Sequence, residues 1–196
     1  MKYKSNKQKG YTIIETMISI SVFLVIVMAG MGALLNANLL HKKSADMRSI
    51  MDSLNFIMED MSRNLRTGYN YHCWQNETGA TPNNISDPQS CDDGWGIAFE
   101  HQEGNLSDNG DQWAYYVDVD NRIQKSTDGA ASFIPITPEE VEINTQSGFV
   151  VSGAESDDDR QPMVTIRMFG TITLKNTNVK TPFSLQTTVS QRLVDI

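Results

Sequence analysis

Histidine, cysteine and proline are scarce, and their scarcity narrows the chemistry. The three histidines, His41, His72 and His101, are scattered, and neither GxSxG nor HExxH occurs, so the familiar hydrolase frames are excluded. No pair of acids is placed by a recognisable motif, and the chain reads as a non-enzyme that needs no cofactor. Its two cysteines, Cys73 and Cys91, with His72 as their neighbour, are too few for a closed zinc site. No proline falls between residues 11 and 66, which removes the commonest cause of a helix break there. Positive charge is also thin, with 16 basic against 24 acidic side chains and a formal net charge of −8. Four of those basic residues, Lys2, Lys4, Lys7 and Lys9, stand before the first apolar run, and no basic cluster follows them. Direct nucleic-acid binding is therefore not expected, because a phosphate-binding surface needs a basic patch. An acidic, solvated outer face accounts for the charge.

What is present begins at the N-terminus. The run Thr16–Leu35 carries no charged residue. As a helix it covers roughly 30 Å, the thickness of a bilayer's hydrocarbon core. The lysines before it keep the N-terminus in the cytoplasm and send the remainder across the membrane. A secretory signal peptide and a plain signal anchor share this pattern, and Gly30 and Gly32 mimic the small residues of a cleavage site. Neither explains Glu15, a carboxylate at the mouth of the apolar segment, where ionised groups are disfavoured.

The stretch Lys9-Gly10-Tyr11-Thr12-Ile13-Ile14-Glu15 resembles the processing site of type IV prepilins and pseudopilins. In that family a basic leader ends in glycine, a hydrophobic or aromatic residue follows, and glutamate is fifth in the mature chain. The resemblance implies that a prepilin peptidase cuts after Gly10 on the cytoplasmic side and methylates the new amino terminus of Tyr11. Tyrosine stands at Tyr11 where phenylalanine is commoner, and it keeps the aromatic ring. Loss of residues 1–10 removes four lysines and leaves 12 basic against 24 acidic side chains, a formal charge of −12. The resemblance also gives Glu15 a role in assembly, since its carboxylate can meet the charged amino terminus of a neighbouring subunit. Two other readings stay open for it, snorkelling to the interface and capping the amides of its own helix.

The helical pattern continues past the apolar run. Met47, Ile50, Met51, Leu54, Ile57, Met58, Met61 and Leu65 recur at three- and four-residue intervals, with charged residues between them. One helix of roughly 55 residues and about 80 Å is expected, ending near Arg66 with Gly68 as its C-terminal stop. Gly30 and Gly32 mark either a weak point or a close-packing surface.

Beyond it, segments 95–100, 112–119, 122–126, 141–145, 148–153, 163–174 and 183–194 are rich in Val, Ile, Thr and aromatics and read as strands. Asp120-Asn121 predicts a tight hairpin between the second and third of these. An oxidising compartment would join Cys73 to Cys91 around a polar loop holding Asn76, Gly79, Pro82, Asn83 and Asn84. The fold class expected is α+β, a long N-terminal helix packed on an antiparallel sheet. Its divisions are a leader at 1–10, a transmembrane or filament-core half-helix at 11–38, an amphipathic half-helix at 39–67 and a β-rich head at 68–196.

Two acidic segments, Glu155 with Asp157, Asp158 and Asp159, and Asp108-Asn109-Gly110-Asp111, offer hard oxygens for calcium. Neither has EF-hand spacing, and solvated loops are the plainer reading. The C-terminal segments 161–166 and 185–192 again resemble those of minor pilins and larger minor pseudopilins. The resemblance implies a minor pilin of a type IV pilus-like filament, with a minor pseudopilin of a type II secretion system as the alternative. Its partners would be other pilins or pseudopilins through the N-terminal helix, the prepilin peptidase, the inner-membrane assembly platform and the bilayer. It would sit in the bacterial cytoplasmic membrane with an extracytoplasmic head, and in a surface or periplasmic filament after assembly. A reading of another class is a membrane-anchored adhesin that binds through a loop around Tyr69, Tyr71 and Trp74.

Overall fold

The computed structural model describes residues 10–75, 85–155, 160–174 and 180–192. The leader lysines, the loop residues Asn76 to Asn84, and Asp157, Asp158 and Asp159 lie outside the described residues. The chain divides into two compact units, one up to Ala45 and one from Asp46 onward.

Helix α1 spans Ile13–Thr67 without a break, passing through Gly30 and Gly32. In the first unit its apolar side chains find nothing to pack on. Ile13, Ile14, Met17, Phe23, Val25 and Met28 are all exposed. Its hydroxyls bond to the helix's own carbonyls instead, Thr16 to Ile13, Ser19 to Glu15 and Ser21 to Ile18, at 2.7–2.8 Å. Such back-bonding lets a polar side chain sit in an apolar run without an unsatisfied group.

In the second unit the same helix becomes amphipathic. Ile50, Leu54, Ile57, Met58, Met61 and Leu65 are buried, while Met47 and Met51 pack partly against the core. The stripe meets Phe99, Tyr115, Phe149, Ile166, Met168 and Ile172 in one hydrophobic cluster. Gly68 follows the helix, but not as the left-handed stop expected of it. It is absent from the glycines with positive φ, and its N–H still bonds the Asn64 carbonyl at 2.9 Å. A Cβ there would stand 2.4 Å from Phe99 Cδ2, so glycine is required by close packing. The left-handed residue is Asn70, with φ 57°.

The head is built on two antiparallel sheets. The first runs in the order β1 (Tyr69–Trp74), β3 (Gly96–Glu100), β4 (Trp113–Val117), β5 (Ile123–Ser126), β6 (Ile134–Pro135). The second runs β10 (Lys180–Ser190), β9 (Met163–Thr173), β8 (Gly148–Ser152), β2 (Cys91–Gly94), with β7 (Val141–Ile143) also paired to β9. Along β9 the residues Val164, Ile166, Met168, Gly170 and Ile172 are buried and their neighbours are not, the period of two that a one-sided sheet demands. Strands β4 and β5 form the expected hairpin, with Val117 opposite Ile123 and Asn121 at φ 59° in the turn.

Strands β1, β2 and β6 were not anticipated. The correction matters most at β1, where a ligand-binding loop was one reading. Tyr71, His72, Cys73 and Trp74 are all buried, and Trp74 lies over Gly96 so closely that a Cβ there would meet its ring at 2.1 Å. Tyr71 bonds through its hydroxyl to the Leu65 and Gly68 carbonyls. Two of the three aromatic residues proposed for recognition are therefore core.

Candidate functional site

The chemistry-bearing residues of the N-terminus, Gly10, Tyr11 and Glu15, lie close together in sequence at the start of the helix. Gly10, Tyr11 and Thr12 precede the helix, and a Cβ on Gly10 would meet nothing within 4 Å. Tyr11 is 82% exposed. The junction Gly10-Tyr11 is thus unobstructed beside a helix start.

Thr12 caps that helix. Its Oγ1 accepts the Glu15 N–H at 3.3 Å, and its carbonyl accepts the first helical bond, from Thr16 N–H at 3.2 Å. Thr-x-x-Glu at a helix start is the spacing of a capping box, and it sets the Glu15 carboxylate in the first turn, where the amide dipoles favour negative charge. Glu15 is exposed, and among the described residues it has no ion-pair partner. The capping threonine was missed in the sequence, although its signal, Thr three residues before Glu, was present.

From Ile13 onward α1 is long and apolar enough to cross a membrane, and none of its apolar window is buried within the protein. A soluble core helix would be covered. This surface is adapted to lipid or to other helices.

The other residues singled out fall in the head. Cys73 on β1 and Cys91 on β2 are joined by a disulfide with a Cα–Cα distance of 5.8 Å, tying the first sheet to the second. His72 Nδ1 lies 2.6 Å from the Asp87 carbonyl oxygen, and His101 stacks on Trp113 at 4.3 Å. The three histidines are not brought together. Glu155 accepts the N–H and hydroxyl of Ser90 at 2.9 and 2.6 Å, which holds its carboxyl below the usual range. It is thereby engaged in local structure. Among the described residues no group of three His, Cys, Asp or Glu side chains is placed to hold a metal.

A capped helix with an unburied apolar first half and a second half packed on antiparallel sheets is a pilin-like α+β architecture. Residues 5–31 match the family described as the prokaryotic N-terminal methylation motif. The chain therefore carries, at its N-terminus, the methylation motif that is the signature of type IV pilins and pseudopilins. No curated protein and no solved structure matched the chain.

Proposed function

We propose that the protein is a minor pilin, a structural subunit of a type IV pilus-like filament. It is made as a precursor, cut between Gly10 and Tyr11, and methylated at the new terminus. The helix holds it in the cytoplasmic membrane with the head outside until assembly. In the filament the apolar half of α1 packs among other subunits, and Glu15 meets a neighbour's amino terminus.

The observation that carries this reading is the coincidence of an open Gly10-Tyr11 junction, a lone carboxylate one turn later and an apolar helix that the protein leaves uncovered. A plain anchor needs only the last of these. A carboxylate in low dielectric is tolerated when paired, and cleavage creates the missing cation. The minor role rests on the resemblance of the C-terminal segments.

Intact-mass measurement on protein from its native host tests the processing. The expected species begins at Tyr11 and carries one added methyl group. A chain that retains Met1, or begins near Ala33, overturns it. Quantifying the subunit in sheared filaments tests the minor role, and a share equal to the principal subunit would reject it.

A further inference from the structure

The loop between β3 and β4 carries a motif that no role described above absorbs. In Glu103-Gly104-Asn105-Leu106-Ser107 an asparagine stands two residues before a serine, the acceptor pattern for N-linked sugar. Asn76-Glu77-Thr78 and Asn84-Ile85-Ser86 share that pattern. Bacterial acceptors add an acidic residue two positions before the asparagine. Glu103 supplies it for Asn105, whereas Trp74 and Pro82 occupy the equivalent positions of the other two.

The structure sets Asn105 on an exposed turn with a fixed frame. The Gly104 carbonyl accepts the Tyr69 hydroxyl at 2.8 Å, and the Asn105 N–H donates to Asp111 Oδ2 at 2.9 Å. From there the chain reverses across Leu106 and Ser107, and the Asp108 N–H donates to the Asn105 carbonyl at 2.7 Å. Glu103, Asn105, Leu106 and Ser107 are all exposed. The Asn105 side chain joins the turn through one atom, Oδ1, which accepts the Ser107 N–H at 3.1 Å. Of the two ends of an amide only the oxygen can accept from an N–H, so this bond sets the orientation of the group and leaves Nδ2 outside the turn. Among the described residues neither Asn105 Nδ2 nor the Ser107 hydroxyl makes a hydrogen bond. The nitrogen that would carry a sugar and the hydroxyl that marks the acceptor are both uncommitted.

We infer that Asn105 is an acceptor for N-linked glycosylation, with an oligosaccharide on a lipid pyrophosphate as the donor. The inference rests on the reading that places the head outside the cytoplasmic membrane, where such a modification belongs to surface loops. In the transfer, Asn105 Nδ2 bonds to the anomeric carbon of the sugar while the bond from that carbon to the phosphate oxygen breaks. The amide gives up one proton, the lipid pyrophosphate leaves with the electron pair, and nothing is oxidised or reduced. The folded head keeps its contacts, because the substituted nitrogen holds none of them.

Protein from the native host is the sample. Digestion and fragmentation in a mass spectrometer should place a carbohydrate mass on Asn105 and none on Asn76 or Asn84, over and above the methyl group of the processed terminus. Asn105→Gln and Ser107→Ala should each lose the sugar completely, Glu103→Gln should lose most of it, and Ser107→Thr should keep it. Ser107 serves the turn through its backbone N–H, so Ser107→Ala should melt as the wild type does once the sugar is lacking from both. Bare Asn105 in the wild type overturns the site. So does sugar that survives in Ser107→Ala, or sugar carried on a Ser or Thr hydroxyl. The N-terminal mass of the same sample reports separately on processing. A chain that begins at Tyr11 with Asn105 bare fails the glycosylation site alone, whereas a chain that retains Met1 fails the filament reading.

Discussion

Asn64, on the last turns of α1, donates from Nδ2 to the phenolic oxygen of Tyr115 on β4 at 2.9 Å. It is a polar clasp between helix and first sheet, set beside the apolar stripe. Lys125 completes it, with Nζ 3.0 Å from Asp60 Oδ2 and 4.5 Å from the centre of the Trp113 ring. Burial keeps the Tyr115 and Tyr71 hydroxyls protonated well above the ordinary value of 10.0.

That relationship predicts an alkaline limit. A phenol whose folded pKa is raised holds its proton in the folded state after the unfolded chain has released it. The stabilisation is thus complete below 10.0 and is lost as pH rises beyond that value. Melting temperature should therefore fall above about pH 10, and Tyr115→Phe should shallow the fall. At neutral pH the same variant should cost about 1 kcal/mol, since it strands the Asn64 amide. A slope identical in the two proteins would show that Tyr115 is not the group responsible.

Packing of the stripe gives a sharper contrast. Leu54 has no accessible surface, whereas Asp52, two residues away, is exposed. Leu54→Ala should destabilise the protein by about 2–5 kcal/mol, and Asp52→Ala by less than about 0.5. Chemical denaturation of the two variants in detergent measures this. Equal midpoints would refute the packing of α1 on the sheets.

The cysteine pair predicts dependence on redox state. Closing a loop with a sequence separation of 18 restricts the unfolded chain by about 3 kcal/mol in the chain-entropy account. The double variant Cys73→Ala, Cys91→Ala should melt lower than the oxidised wild type and no longer respond to reductant. Gly94→Ala should mimic the loss, because a Cβ there would stand 2.1 Å from Cys73 Sγ and 2.7 Å from Cys91 Sγ. Insensitivity of the wild type to reductant would dismiss the disulfide as a source of stability.

Parts of this molecule were legible in sequence for identifiable reasons. The stripe of α1 repeats over many turns, so its period stands out, and β9 alternates over its whole length. The N-terminal junction is a linear motif that needs no fold to be seen. By contrast, β1 is buried at four consecutive residues, Tyr71 to Trp74, and so lacks the alternation that marks a strand. Strand β2 reads Cys-Asp-Asp-Gly and β6 ends in Pro135, compositions that signal turns. The buried contact of Gln112 with Glu100 is invisible in sequence because the two meet only through the antiparallel return of β4 onto β3.

The first turn of α1 carries the prediction that separates a filament subunit from an anchor. Thr12 caps the helix through its own hydroxyl, so Glu15 is not needed to start it. Glu15→Ala should leave helix content and membrane insertion intact or slightly improved, because a charge leaves the edge of an apolar segment. Cleavage should also proceed, since Gly10 and Tyr11 are untouched. Entry into filaments should fall sharply, because a neighbour's amino terminus loses its counter-charge and must be desolvated alone. Glu15→Asp, which keeps the charge on a shorter side chain, should recover part of the loss, whereas Glu15→Gln should not. The measurement is the amount of each variant in sheared filaments relative to the amount in membranes of the same cells. Normal incorporation of Glu15→Ala, with normal processing, would leave the carboxylate a local feature of the helix start and remove the pairing from the account of assembly.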